Sequence, residues 1–278
     1  VTSIINYHRL NTRNIGDLIC APSLWMPELA DAVRDEILGF KGSENASVAA
    51  AQEWKERLGK ADLIIIGGGG LLEIDFFKPG LQHIAEHRKP GSRAVVWGAG
   101  HNNWQLGDWR GLKQALDLDA YGFDLIGVRD VDCGHEWVPC ASCMAPALDA
   151  PADPVFDVVM YAHTGTIQNS SRAAALPSGL PMLDNSAPFE QVIPFLASGA
   201  LVLTDSFHGM YWATLLGRKV VAFPSSSKFY SVKHPVPLCD PADWQRFAPL
   251  ARTYPDALEE CRDSNRAFAG RVMGLLDG

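Results

Sequence analysis

Residues 204–224 read TDSFHGMYWATLLGRKVVAFP. An apolar strand, Ala200 to Thr204, ends at the start of this stretch; an apolar helix, Phe207 to Leu216, follows at once, and a further strand, Lys219 to Phe223, follows the helix. Strand, helix and strand in close succession are the unit from which parallel sheets wrapped by helices are built. Asp205 or Ser206 is placed to cap the helix, whose free N–H groups and positive dipole end would then face the carboxyl end of the sheet and hold an anion there. His208 lies in the first turn, with Gly209 beside it. An imidazole of ordinary pKa, about 6.5, can give or take a proton at cellular pH, and a glycine lets a ligand come close to the backbone. The alternative for His208 is simple packing between strand and helix.

The same alternation extends in both directions. Strands are expected at Ser3 to Tyr7, Asp62 to Ile66, Arg93 to Trp97 and Phe123 to Val128, with a helix of regular apolar spacing from Ser47 to Lys60. Near PALDAPADP, residues 146–154, the apolar periodicity lapses, and a fresh strand, Phe156 to Tyr161, begins beyond it. A helix at Phe189 to Ala197 and a last one over Asp256 to Leu276 complete the series. The pattern predicts an α/β protein of two Rossmann-like domains with mainly parallel sheets, residues 1–149 and 150–278, facing one another across a cleft, with the last helix free to pack back on the first domain. Ligands of open parallel sheets gather at the carboxyl ends of the strands.

With 278 residues and 47% hydrophobic composition the chain can bury a large core. Its net charge of −8, with no long basic run, argues against nucleic acid as a partner. The longest apolar runs fall short of the roughly 18 residues of a membrane span. VTSIINYHRL reads as an opening strand rather than a signal peptide, and six dispersed cysteines suit reduced thiols, so a cytoplasmic location is expected. Cys133, His135, Cys140 and Cys143 lack the second pair a zinc site would need, and no metal is expected.

Three turns of the first half stand where ligands gather. In HRLNTRNIGDL, residues 8–18, Gly16 permits a tight turn and Asp17 suits either a helix cap or a ligand contact. Gly67 to Gly70 bring bare N–H groups above the sheet, suited to an anion or a sugar hydroxyl, but without the spacing or acidic partner of a dinucleotide site. Gly98 to His101 follow the third strand, and Trp104 and Trp109 lie beyond, either to stack on a sugar ring or to pack on the sheet. His101 is open to a ligand contact or a turn hydrogen bond. In the second half Lys228, Lys233 and His234 form a cationic cluster after a strand end, and no acidic residue stands from His208 to Cys239 to grip a ribose.

Asn14 to Asp17 (NIGD), Gly67 to Leu72 (GGGGLL), Trp97 to Asn102 (WGAGHN), Val128 to Asp130 (VRD) and Asp205 to Gly209 (DSFHG) followed by LLGRKVVAFP, in that order, resemble the polysaccharide pyruvyl transferase family. The resemblance implies a fold similar to the GT-B glycosyltransferases. It implies transfer of a pyruvyl group from phosphoenolpyruvate to sugar hydroxyls as a ketal, in making an exopolysaccharide or its precursor, with no cofactor. The acceptor would be a saccharide or a lipid-linked oligosaccharide, which leaves association with a membrane surface open, and the first domain would be the acceptor side, the second the donor side. On this reading His208 and Asp17 are catalytic, and Asn14, Gly16, Gly68, Gly69, Gly70, His101, Arg129, Ser206, Gly209, Lys228 and Lys233 bind substrate. Many members carry Ser-x-Arg-x-His before the glycine; here Thr204, Ser206 and His208 stand there without the arginine, leaving Lys228, Lys233 or Arg129 to supply the charge. The rival readings are a nucleotide-sugar glycosyltransferase of the same architecture and a non-catalytic glycan-binding protein.

Overall fold

The computed structural model describes residues 2–41, 48–72, 74–104, 117–149 and 151–277. Among them the strands form two sheets. The first contains β1 (Ile4–His8), β2 (Val33–Glu36), β3 (Leu63–Ile66), β4 (Gly69–Leu72), β5 (Arg93–His101), β6 (Leu125–Val128) and β7 (Glu136–Trp137), in the order β2-β1-β3-β5-β6-β7 with β4 pairing on β5. The second contains β8 (Phe156–Ala162), β9 (Met182–Asp184), β10 (Gly199–Thr204) and β11 (Lys219–Ala222), in the order β11-β10-β8-β9. Every strand pairing in both sheets is parallel. The helices are α1 (Ile15–Leu18), α2 (Val48–Leu58), α3 (Lys78–His87), α4 (Thr164–Ile167), α5 (Ser170–Ala174), α6 (Phe189–Ala197), α7 (Phe207–Leu215), α8 (Trp244–Phe247) and α9 (Ala257–Gly274), with short 3₁₀ turns between them. None is long and apolar enough to cross a membrane.

The burial pattern explains this arrangement. β3 reads LIII and is buried at all four positions, as expected of an inner parallel strand covered on both faces. Its side chains alternate: Ile64 and Ile66 pack with Trp54 and Leu58 of α2 and Leu81 and Ile84 of α3, while Leu63 and Ile65 pack with Phe268, Ala269 and Val272 of α9. The last helix therefore seals the first sheet. Trp97 Nε1 donates to Asn265 Oδ1 at 2.8 Å, and Phe268 meets the same indole edge-on at 5.2 Å. In the second sheet Val159, Tyr161 and Val202 pack beneath Val192 and Leu196 of α6 and Trp212 of α7. Every residue of α7 except Tyr211 is buried, which is why this helix is apolar on all sides.

Two local features depart from the expected pattern. The glycine run does not open a free turn: Gly69–Leu72 pairs with β5, which continues past Trp97 to His101 and so offers it an edge. The cap of α1 is Asn14, not Asp17; the Asn14 side chain accepts from Gly16 N at 3.1 Å. Ser47 and Trp109 lie outside the described residues.

Candidate functional site

A cleft of about 220 Å³ opens where the carboxyl ends of both sheets converge. The turn after β1 contributes Arg9, Asn14 and Asp17, β4 contributes Gly70, and the ends of β5 and β6 contribute Asn102 and Arg129. From the second sheet come His163 after β8, Ser206, Phe207 and His208 after β10, and Lys228 beyond β11.

Arg129 is 5% exposed, and its guanidinium lies 3.9 Å from the centre of the Phe207 ring, so a first-sheet cation stacks on a second-sheet helix. Among the described residues, its Nε and Nη2 have no hydrogen-bond partner. Glycines make room for it: a Cβ at Gly100 would lie 2.4 Å from Nε, and one at Gly70 3.2 Å from Nη2. The adjacent Asp130 carboxylate turns instead to His101, at 2.9 Å from its backbone N and 3.3 Å from Nδ1. Burial holds the Asp130 carboxyl above its ordinary value.

Lys228 is the second cation. Burial, and next the Arg129 charge, lower its pKa to about 8, with Asp17 and Asp205 opposing. Among the described residues no carboxylate forms an ion pair with it. Asp17 is held by Asn14, whose Nδ2 donates to Oδ2 at 3.0 Å. Burial raises its pKa above the ordinary value, while Lys228, Arg129 and Arg9 act the other way.

His208 is 4% exposed and forms part of the floor. Its Nδ1 rests against Gly16, where a Cβ would lie only 2.1 Å away, and its Nε2 is 3.6 Å from Cys140 Sγ. Trp212 flanks the ring at 5.0 Å. Burial, then Arg129 and Lys228, push its pKa well below the ordinary value, leaving a neutral imidazole. Gly16 is thus required by the close approach of His208, and not by a left-handed turn, since its φ is not positive.

No family model matches the chain, and no curated protein matches it. Among solved structures it is similar to an α-glucosyltransferase in complex with UDP and a 13-mer DNA containing a central A:G mismatch, at 9% identity over 96% of this chain and 92% of that one, with a TM-score of 0.45. The chemistry of the cleft is therefore read from its own residues.

Asn14, Asp17, Gly70, Arg129, Ser206, His208 and Lys228 converge on the cleft as expected, with Gly16 directly behind His208. Ser206 caps α7, its Oγ accepting from Gly209 N at 3.4 Å. Other expected residues do not line it. Lys233 pairs with Glu260 at 3.2 Å and lies over Trp137 at 4.1 Å. His101 is buried on Asp130. Gly209 packs α7 onto its strand, since a Cβ there would lie 2.3 Å from Tyr161 and 2.5 Å from Thr204 Oγ1. Gly68 abuts the Cys20 carbonyl, which a Cβ would approach to 2.5 Å, and Gly69 is taken up in strand pairing. Cys133, Cys140 and Cys143 are buried free thiols. Among the described residues the one set placed to ligate a metal is His83, Glu86 and His87, none of which lines the cleft.

Sequence reading missed His163, although it ends a strand as His208 nearly does. It also missed a second hollow, of about 660 Å³, that shares Asn102, Trp104, His163 and Lys228 with the cleft. Asp205 and Asp240 line this hollow, so carboxylates do reach the neighbourhood of Lys228 even though the stretch after His208 has none.

Proposed function

We propose that the chain is a transferase whose cleft binds a small phosphorylated carboxylate, and that it moves a pyruvyl group from phosphoenolpyruvate to the hydroxyls of a saccharide. The observation that carries this reading is the Arg129 guanidinium, with two buried nitrogens that lack hydrogen-bond partners among the described residues, set in the same small cleft as the Lys228 ammonium, which forms no ion pair among them. A planar guanidinium suits a carboxylate or phosphate bidentately, and an ammonium adds a point charge. Arg129 and Lys228 thereby replace the arginine missing before His208. In this reading residues 1–149 and 150–278 are two Rossmann-like domains of GT-B kind, the first presenting the acceptor and the second the donor, and the acceptor is a polysaccharide precursor lying in the larger hollow.

Asp17, the carboxyl that lines the cleft beside Arg129 and Lys228, is assigned the proton. The Asp17 carboxyl protonates C3 of the enol ester, giving a cation at C2 that a sugar hydroxyl attacks; the carboxylate left behind takes the hydroxyl proton. Phosphate departs with the C2–O bond electrons, and a second hydroxyl adds at C2, passing its proton to the released phosphate, to close the ketal. A positioned acid or base of this kind contributes about 10²–10⁴-fold. His208, with Nδ1 against Gly16 and Nε2 toward Cys140, is assigned the neutral floor rather than the proton shuttle.

Asp205 and Asp240 beside Lys228 favour a second reading, in which carboxylates grip the ribose of a nucleotide sugar. Thermal-shift titration separates the two, because a ligand at about 100 times its Kd stabilises the fold by about 2.7 kcal/mol. Phosphoenolpyruvate should raise Tm and UDP should not. Incubation with phosphoenolpyruvate and candidate saccharides should then give a pyruvylated product by mass spectrometry. Stabilisation by UDP alone would transfer the assignment to glycosyl transfer.

A further inference from the structure

His163 stands at the junction of the two cavities and lines both. It is the cap of α4: its Nδ1 accepts a hydrogen bond from Gly165 N at 3.0 Å. Its own backbone N–H donates to Asp205 Oδ1 at 2.6 Å, which fixes the residue from behind. A ring nitrogen that accepts from an amide carries no proton, so the neutral ring must carry its hydrogen on Nε2. Among the described residues no group bonds Nε2. The fold has therefore set one tautomer and left its single donor unbonded among the described residues, on a side chain that lines both cavities.

We propose that His163 is a catalytic residue whose Nε2–H bonds the phosphate oxygen that gains charge as the donor's ester bond breaks. This rests on the reading above that the donor carries a phosphate leaving group, and it holds whether that group is the phosphate of an enol ester or the diphosphate of a nucleotide sugar. The surroundings keep the ring in the state required. Burial, and then the charge of Lys228, lower its pKa to about 4, Arg172 adding to the effect and Asp184 opposing it. A ring that stays neutral through the working range of pH is a constant donor and does not compete with Asp17 for the proton. In the amino-acid sequence nothing singles it out except its place just after a strand.

The test uses the full chain and two substitutions. His163→Asn keeps a cap, because an asparagine side-chain oxygen can accept from Gly165 N, but it cannot reach as far as Nε2. His163→Ala removes both functions. Three measurements follow: ring-nitrogen chemical shifts of labelled histidine across the neutral range, calorimetric affinity for inorganic phosphate, and kcat with phosphoenolpyruvate and a saccharide. The expected results are a ring protonated on Nε2 alone, phosphate affinity weakened about 10- to 100-fold in His163→Asn with Tm unchanged, and kcat lowered about 100-fold with the same pH profile as the parent. A ring protonated on Nδ1, or one that gains a second proton near neutrality, overturns the inference. So does His163→Asn with the parent's phosphate affinity and kcat, and in that case turnover of phosphoenolpyruvate by both proteins leaves the functional reading intact. Failure of the parent chain to bind phosphate, phosphoenolpyruvate or UDP removes the leaving group and ends both, whereas binding of UDP alone ends only the pyruvyl reading.

Discussion

Replacing Gly16 with alanine tests whether the two sheets really meet at His208. The new Cβ would lie 2.1 Å from His208 Nδ1, 2.4 Å from Cγ and 2.9 Å from Cβ, where ordinary contact begins at 3.4 Å. Neither side can retreat freely. His208 is backed by Trp212 at 5.0 Å and Phe207 at 5.6 Å, and the Gly16 turn is tied down by the Asn14 cap and by Ile15 N donating to Asn185 O at 2.8 Å. Overpacking of this kind costs about 1–3 kcal/mol. At roughly 2–4 °C per kcal/mol for a domain of comparable size, Tm should fall by about 2–12 °C. Because the clash falls on His208 in the cleft floor and next to Asp17, donor affinity should fall in the same variant. The double variant with His208→Ala removes the two closest approaches and leaves the 2.9 Å contact with Cβ, so it should melt above Gly16→Ala alone, a positive coupling in a double-mutant cycle. Differential scanning fluorimetry and phosphoenolpyruvate titration read both effects. Parental Tm and affinity in Gly16→Ala would show that the turn and the imidazole are not in contact, and the cleft as built here would not exist.

Arg129→Met should weaken phosphoenolpyruvate binding by about 10- to 100-fold, as loss of a charged hydrogen-bonding group does, while the unliganded protein melts at or above the parental temperature because a buried charge with two unbonded nitrogens is removed. Lys228 titrates at about 8 against an ordinary 10.5, so phosphoenolpyruvate affinity, measured by calorimetry against pH, should fall as pH rises through 8 and become flat in Lys228→Arg. The same depressed value means the unfolded chain holds a proton that the folded one has lost between the two values, so the stability of the unliganded protein should rise with pH through that window, and the rise should vanish in Lys228→Gln. Lys233→Ala, by contrast, should leave donor affinity unchanged, since that ammonium is committed to Glu260 and the Trp137 face.

The strand–helix–strand frame was legible because its signal is local. The run LIII of β3 and the passage from β10 through α7 to β11 carry their burial in their own composition, and the structure places them within a residue or two of expectation. Short edge strands such as β2 and β9 carry no comparable signal: Val33–Glu36 reads VRDE and is partly exposed. The site was legible as a set of strand ends, and its internal roles were not. Gly16 before Asp17 reads as a turn, whereas its reason is an imidazole far along the chain. Lys228 and Lys233 are indistinguishable in their shared loop; what separates them is Glu260, brought up by α9 to neutralise one of them. His163 looks like an ordinary turn residue until the bond from Gly165 fixes which nitrogen carries the proton.

The unpaired cations of the cleft do not reflect a shortage of acids. The chain has 32 Asp and Glu against 24 Lys and Arg, and elsewhere its arginines find them: Arg57 meets Asp35 at 2.6 Å, Arg262 meets Asp149 at 2.6 Å, and Arg271 pairs with Glu136. Around the cleft the carboxylates are close enough to bias the cations but each is engaged elsewhere. Asp130 is bound to His101, Asp205 to the backbone of His163, and Asp17 to Asn14. Among the described residues two nitrogens of the buried Arg129 guanidinium make no hydrogen bond, which costs stability, and the three neighbouring acids that could have bonded them are each held by another group. Departures from local satisfaction of this kind concentrate where a protein works on something outside itself. On the proposed reading the ligand supplies the missing hydrogen-bonded anion, and the first sheet's arginine and the second sheet's lysine stand in the same cleft to receive it.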